Sequence, residues 1–180
     1  MSKASDMVHA GPNKALMTLR IIWGALIQGV VIFAVIALVV RRDKGIVAAN
    51  AFDMSNVLVP FGLGLAALQL VLSFVVPPFI AKAALSKLGR DAKGAKAEPG
   101  WEEWPPRAPV FWPVFQTSFI IRAALLEGAG FFNLIAYLIT GSAVSITASA
   151  VIIASLLALF PNEQSIRSWM EQANTDSDMN

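Results

Sequence analysis

Apolar residues gather in four long runs along this chain, and polar segments separate the runs. A helix rises about 1.5 Å per residue, so roughly 20 apolar residues cross a hydrocarbon core of about 30 Å. The predicted spans are residues 15–40, 57–80, 114–139 and 143–160. The pattern predicts an all-α membrane protein with four transmembrane helices, because helices satisfy their own backbone groups inside lipid.

The first run could instead belong to a cleaved signal peptide, because Ala49-Asn50-Ala51 has the small-x-small form of a cleavage site. The apolar core of a signal peptide is, however, only about 7–15 residues long. The run 15–40 is far longer, and Arg41 and Arg42 follow it. A membrane-spanning first helix is therefore the favoured interpretation.

The polar segments predict the rest of the organisation. Residues 1–14 are a polar N-terminal tail, and residues 82–113 are a charged, proline-rich loop in which Pro105-Pro106 and Pro109 favour an extended path. Pro77-Pro78, just before this loop, should kink or end the second span. Only Thr140-Gly141-Ser142 separates the last two spans, which predicts an antiparallel hairpin.

Tryptophans outside the spans predict contact with the membrane interface, where indole rings prefer the headgroup level. Residues 162–180 form a predicted amphipathic C-terminal helix and tail, with Ile166 and Met170 on its apolar face at a spacing that suits the interface plane. The tryptophans are Trp101, Trp104, Trp112 and Trp169.

The first and third spans are similar in sequence. Residues 18–37, aligned with residues 117–136, share nine identities in twenty positions. Both copies place a polar residue at the same central position, Gln28 in the first and Glu127 in the second. The similarity predicts two duplicated helix pairs, with both copies crossing the membrane in the same direction.

Small residues flank these two polar positions. Ala25 and Gly29 lie four residues apart in the first copy, as do Ala124 and Gly128 in the second. Such small-xxx-small motifs allow two helices to cross closely. The repeated motif predicts packing between the first and third spans.

Glu127 is the candidate functional residue, because it falls near the middle of the third span. A carboxylate there costs about 2.5–3.5 kcal/mol on insertion scales, so an intramembrane acid is by default a functional hypothesis. Burial disfavours the ionised form, so the acid should take up a proton unless a cation or an arginine meets it. The alternative is structural: a hydrogen bond from protonated Glu127 to Gln28 would fix helix register.

Arg122 is the other charged residue of the third span. It lies five residues before Glu127 and about 140° away around the helix, so the two cannot easily pair. We expect the Arg122 side chain to reach the cytoplasmic headgroups.

Composition supports the membrane class and excludes several others. Hydrophobic residues make up 56% of the chain and charged residues 14%, and the mean hydropathy is +0.63. These values are too apolar for an ordinary soluble domain. The chain has no cysteine and one histidine, so no metal site or cofactor is expected, and no acid and base lie at a catalytic spacing. The net charge of +2 is too small to indicate nucleic acid.

The distribution of basic residues predicts the orientation. With four spans, eleven lysines and arginines collect on the side of both termini, against three on the other side, Arg41, Arg42 and Lys44. Cytoplasmic loops carry the excess of positive charge. Both termini are therefore expected in the cytoplasm, with the protein in the cell (inner) membrane.

Residues 124–139, with an acid among small residues followed by aromatic and aliphatic positions, resemble the carboxylate-bearing helix of rotary ATPase proteolipid (c-type) subunits. Gly62-x-Gly64 is similar to the glycine-rich helix of that family. Duplicated proteolipids have four spans and one surviving acid. Glu127 would match the surviving acid, and Gln28 would stand where the other acid was lost. The resemblance implies that Glu127 is a proton- or sodium-binding carboxylate. The pattern looks equally like four-helix bacterial membrane proteins of that superfamily.

These observations lead to two functional hypotheses, neither of them enzymatic. The first is a membrane-embedded subunit whose Glu127 binds a proton or a cation. The second is a structural or assembly subunit that docks a membrane-protein partner, or further copies of itself, through its spans and its charged loop.

Overall fold

The computed structural model describes residues 11–43, 51–91 and 99–178, which contain five helices and no strand. The all-helical class is therefore confirmed for the described chain. Most of the polar tail, Ala49-Asn50 of the candidate cleavage site and part of the charged loop lie outside these ranges. The helices are α1 (Pro12–Asp43), α2 (Ala51–Asp91), α3 (Ala108–Thr140), α4 (Ala143–Ala158) and α5 (Glu163–Asp178).

Three of these helices are long and apolar enough to cross a membrane, namely α1, α2 and α3. The helix α4 has only 16 residues. At the usual helical rise it extends about 24 Å, less than a hydrocarbon core. A bend of 71° separates it from α5, and this bent pair, counted as one span, would bring the number of spans to four. The described helices are thus compatible with a multi-pass membrane protein.

Two proline-rich segments bear on the sequence-based expectations. Pro77-Pro78 does not end α2, which continues to Asp91, so the predicted helix end is wrong and the alternative, a kink, stays a prediction. The segment before α3 is not extended, because the Trp104 N–H donates to the Trp101 carbonyl at 3.0 Å and the Ala108 N–H to the Pro105 carbonyl at 2.8 Å. Proline is tolerated in turns and in the first helical turn, so the polypeptide folds into compact turns and α3 begins at Ala108.

Contacts divide the described chain into two compact units. The first unit comprises residues 11–23, 76–91, 99–120 and 161–178. The second unit comprises residues 24–43, 51–75 and 121–160.

The first unit is built on a tryptophan-rich core. The ring centroids of Trp101, Trp104 and Trp112 lie 5.7 Å, 5.9 Å and 6.4 Å apart in an edge-to-face arrangement. Aromatic rings favour this geometry because the positive edge of one ring meets the negative face of the next. The apolar face of α5 completes this core with Ile166 and Met170, both at most 1% exposed. The predicted amphipathic helix is thus present, and its apolar face packs against the protein.

In the second unit, α3 contacts α1, α2 and α4. It runs parallel to α1, because Gly29 lies beside Glu127 and, four residues further along both helices, Phe33 contacts Phe131. It runs antiparallel to α2, whose contacts with α3 are described below. Its hairpin with α4 turns at Gly141, which has a φ of 70°. Glycine is favoured at this position because other residues are strained at positive φ.

Exposed large apolar residues are concentrated in the second unit. Among the described residues, only Met17, Ile21, Phe79 and Ile80 of that class belong to the first unit. A water-facing surface rarely carries so many large exposed apolar residues. The second unit therefore presents the surface expected of a part surrounded by lipid.

Candidate intramembrane site around Glu127

Glu127 lies on α3 where this helix meets α1. A β-carbon added to Gly29 would lie 3.7 Å from Glu127 Oε1 and 3.8 Å from Phe131 Cζ. The glycine thus gives the carboxyl room beside the α1 backbone. One turn further along, the rings of Phe33 and Phe131 meet edge to face at 5.3 Å. The partly buried acid therefore sits among apolar contacts between two helices.

No residue of the described chain forms a hydrogen bond or an ion pair with the Glu127 carboxyl. The same described residues contain no group of three or more His, Cys, Asp or Glu that could hold a metal ion. A single carboxyl can carry a proton by itself. A bound metal cation would need further oxygen ligands, from backbone, amide groups or a second chain.

Gln28 occupies the equivalent position on α1 but points elsewhere. Its side chain is exposed, and no hydrogen bond joins it to Glu127. The next residue, Gly29, lies about 100° further round the helix. Gly29 is the residue that faces the carboxyl instead. The sequence repeat therefore does not bring its two polar residues together, and the register-fixing hydrogen bond considered above is not formed.

The four small residues of the repeated motif contact different neighbours. Gly29 lies against α3, whereas Gly128 lies against α2, where an added β-carbon would be 3.6 Å from Gln69 Nε2. Ala25 and Ala124 are exposed. The two glycines therefore allow close approach at two different helix pairs, Gly29 between α1 and α3 and Gly128 between α3 and α2.

Gln69 is a polar residue of this region that the sequence reasoning missed. Its side chain is partly buried, and its Oε1 atom is buried without a hydrogen-bond partner among the described residues. It lies on α2, within a predicted span otherwise apolar up to Ser73. Gln28 was selected because it matches Glu127 in the repeat, whereas a search for lone amides inside the predicted spans would have found Gln69 as well.

The Arg122 side chain bonds to protein, and its expected reach to the cytoplasmic headgroups stays a prediction. Its Nε donates to the carbonyl oxygen of Ser73 on α2 at 2.8 Å. Its guanidinium carbon lies 5.4 Å from the ring centroid of Phe74. This distance is short enough for a cation–π interaction. Arg122 thus turns toward α2, and no ion pair joins it to Glu127.

Asn133 fixes the other end of the α2–α3 contact. Its Nδ2 donates to the carbonyls of Gly62 at 3.1 Å and Ala129 at 3.0 Å, and the side chain is fully buried. A β-carbon at Gly62 would lie only 2.9 Å from Asn133 Oδ1, so glycine lets the Asn133 side chain approach α2 this closely. Asn133 therefore has a structural role.

The four tryptophans proposed as interfacial have protein neighbours in the first unit. Trp101, Trp104 and Trp112 are 3–7% exposed. Trp169 is half-buried, with its ring 5.2 Å from that of Phe115. The indoles thus form a packed core, and their position at the headgroups stays a prediction.

Comparison with protein-family models, with curated proteins and with solved structures found no match to this chain. The resemblance to proteolipid subunits therefore stays a prediction.

Proposed function

We propose that this protein is a non-enzymatic, membrane-embedded subunit in which Glu127 takes up and releases a proton or a small cation within the bilayer. The observation that carries the proposal is the carboxyl itself. It lies between α1 and α3, beside Gly29, with no hydrogen-bond or ionic partner in the described chain. A carboxyl kept in apolar surroundings has to serve a purpose that offsets its cost.

Two neighbouring contacts support this proposal. Arg122, the nearest cation in sequence, is occupied with the Ser73 carbonyl. Gln28, the amide that would give Glu127 a purely structural hydrogen bond, is exposed on α1. Glu127 can thus exchange a proton or a cation with water, with a partner chain or with another copy.

The proposed setting is the cell (inner) membrane, with the second unit in the hydrocarbon. The four spans would be α1, α2, α3 and the segment 143–160 that contains α4, with α5 outside the hydrocarbon and both termini in the cytoplasm. The exposed apolar residues of the second unit and the excess of basic residues on one side support this arrangement. The parallel contact of α1 with α3 supports an origin by duplication.

Labelling with a dicyclohexyl-type carbodiimide tests the proposal, because this reagent modifies protonated carboxyls in apolar surroundings. The full chain in lipid vesicles is treated, and the modified peptide is identified by mass spectrometry. We expect modification at Glu127, and suppression of that modification by alkaline pH for a proton site, or also by sodium for a sodium site.

Two controls define the outcome. Glu102 is exposed and lies outside the helices, so it should stay unmodified. The Glu127→Gln variant should lose the label. Equal modification of Glu102 and Glu127, or none at Glu127 at any pH, would contradict ion or proton binding.

A structural or assembly subunit is the second candidate, and the first unit favours it. A packed tryptophan core holds α5 in place, so that the outer face of α5 is available as a surface for a partner protein. For this role, Glu127→Gln should leave complex formation unchanged, whereas Ile166→Asp, which disrupts the α5 contact, should abolish it. Co-purification of the two variants from the native membrane separates the candidates.

A further inference from the structure

The carbonyl of Ser73 lacks its usual partner inside α2. In an α-helix, each carbonyl accepts from the N–H four residues further on. For Ser73 that residue is Pro77, which has no N–H. Because α2 continues through Pro77 and Pro78 to Asp91, the carbonyls of Ser73 and Phe74 both lack their usual donor within the helix.

Arg122 donates to this same carbonyl, with a distance of 2.8 Å from Nε to the oxygen. Ser73 is fully buried, so water cannot easily replace the missing donor. A carbonyl left unpaired in an apolar environment is costly, and proline in membrane helices persists where a neighbouring group restores the bond. Arginine suits this role because it stays charged and presents five donors.

We propose that Arg122 is a positioning residue that replaces the amide removed by Pro77 and thereby fixes where α2 crosses α3. The hydrogen bond lies one helical turn from Gln69, which faces Gly128 next to Glu127. It therefore sets the register of α2 beside the candidate site. This inference goes beyond the proposed function and holds whether or not Glu127 binds an ion.

The sharpest test compares two neighbouring prolines. Pro77→Ala returns an N–H to the Ser73 carbonyl. Pro78→Ala is the matched control, since the same substitution returns an N–H to the Phe74 carbonyl instead. Arg122→Met removes the donors and keeps an unbranched, flexible side chain. The midpoint of thermal unfolding of the full chain is measured in one lipid–detergent mixture for all combinations.

We expect Arg122→Met to lower this midpoint by about 3–6 °C in the native and in the Pro78→Ala background. In the Pro77→Ala background the same substitution should lower it by about 1 °C or less, because the helix then supplies its own donor. A loss of stability that is equal in the two proline backgrounds would overturn the proposal, as would no loss in the native background.

If Arg122→Met prevents accumulation of the protein in the membrane, the yield becomes the measurement. Arg122→Met combined with Pro77→Ala should then accumulate, whereas its combination with Pro78→Ala should not. Equal yields of the two double variants would overturn the proposal. A residue that served only to reach lipid headgroups would show no preference for Pro77 over Pro78.

Discussion

The helices α1 and α3 share a sequence pattern but differ in their surroundings. In the most apolar 18-residue stretch of each helix, 17% of α1 is buried inside the protein, against 39% of α3. Within the second unit, α3 contacts three other helices, and α1 leaves Gln28 exposed where α3 turns Glu127 toward Gly29. The comparison teaches that a repeated apolar pattern can specify a span while the neighbours decide what each polar residue does.

The largest effect should come from filling the space at Gly130. A β-carbon there would lie 3.2 Å from Val30 and 3.4 Å from Ile152. Gly130→Leu should therefore destabilise the protein by about 3 kcal/mol through overpacking.

The equivalent position on α1 is the matched control. Val31 is 40% exposed. Val31→Leu should therefore change stability by less than about 0.5 kcal/mol. Unfolding in a mixed-detergent titration measures both variants. Similar losses of stability in the two variants would contradict the difference in packing between α1 and α3.

A moderate effect is expected from moving the buried amide between the copies. Asn133 forms two hydrogen bonds, to the carbonyls of Gly62 and Ala129. Their loss in Asn133→Ala should cost about 1–2 kcal/mol. Adding Ala34→Asn at the equivalent position of α1 should not restore stability, because Gly62 contacts α3. The same unfolding titration checks this, and recovery in the double variant would mean that the copies are interchangeable.

A small effect is expected at Gly29. The added β-carbon of Gly29→Ala would make only ordinary contacts, 3.7 Å from Glu127 Oε1 and 3.8 Å from Phe131 Cζ. Stability should therefore change by less than about 0.5 kcal/mol. Gly62→Ala, which would place a β-carbon 2.9 Å from Asn133 Oδ1, is the matched control and should cost clearly more. Equal changes in the unfolding midpoint would show that the two contacts are alike.

The smallest effect concerns Glu102, an acid outside both copies. The Gly100 N–H donates to its Oε1 at 2.9 Å, and this hydrogen bond lowers the pKa of the carboxyl from its ordinary value of 4.5. A lowered pKa in the folded protein adds stability that is present above the ordinary value and is lost as the pH falls through the folded pKa. Because Glu102 is exposed, Glu102→Gln should flatten the acid limb of the stability profile only slightly. A steeper limb in the variant would contradict this sign.

The helical class and the approximate positions of the long helices followed from the sequence, because runs of about 20 apolar residues have few other uses. The course of α2 through Pro77-Pro78 could not be predicted, since the donor for the Ser73 carbonyl comes from Arg122, 49 residues away in the chain. For the same reason, the hydrogen bond from Arg122 to α2 was not foreseen, and the expectation that Arg122 reaches the headgroups stays a prediction.

The candidate site was predicted in part. Glu127 could be selected because an acid inside an apolar run is unusual. The separation of Gln28 from Glu127 could not be predicted, because periodicity gives the face of one helix and not the neighbour that covers it. The tryptophan core of the first unit was missed because burial against α5 depends on contacts between residues that are far apart in the chain.

The central claim is that Glu127 lies at hydrocarbon depth, and a spin label at this position tests it most directly. The chain has no cysteine, so Glu127→Cys gives a single labelling site in lipid vesicles. We expect frequent collisions with oxygen and few with a water-soluble nickel chelate, with the opposite result for Glu102→Cys. Ready access of the chelate to position 127 would contradict the claim.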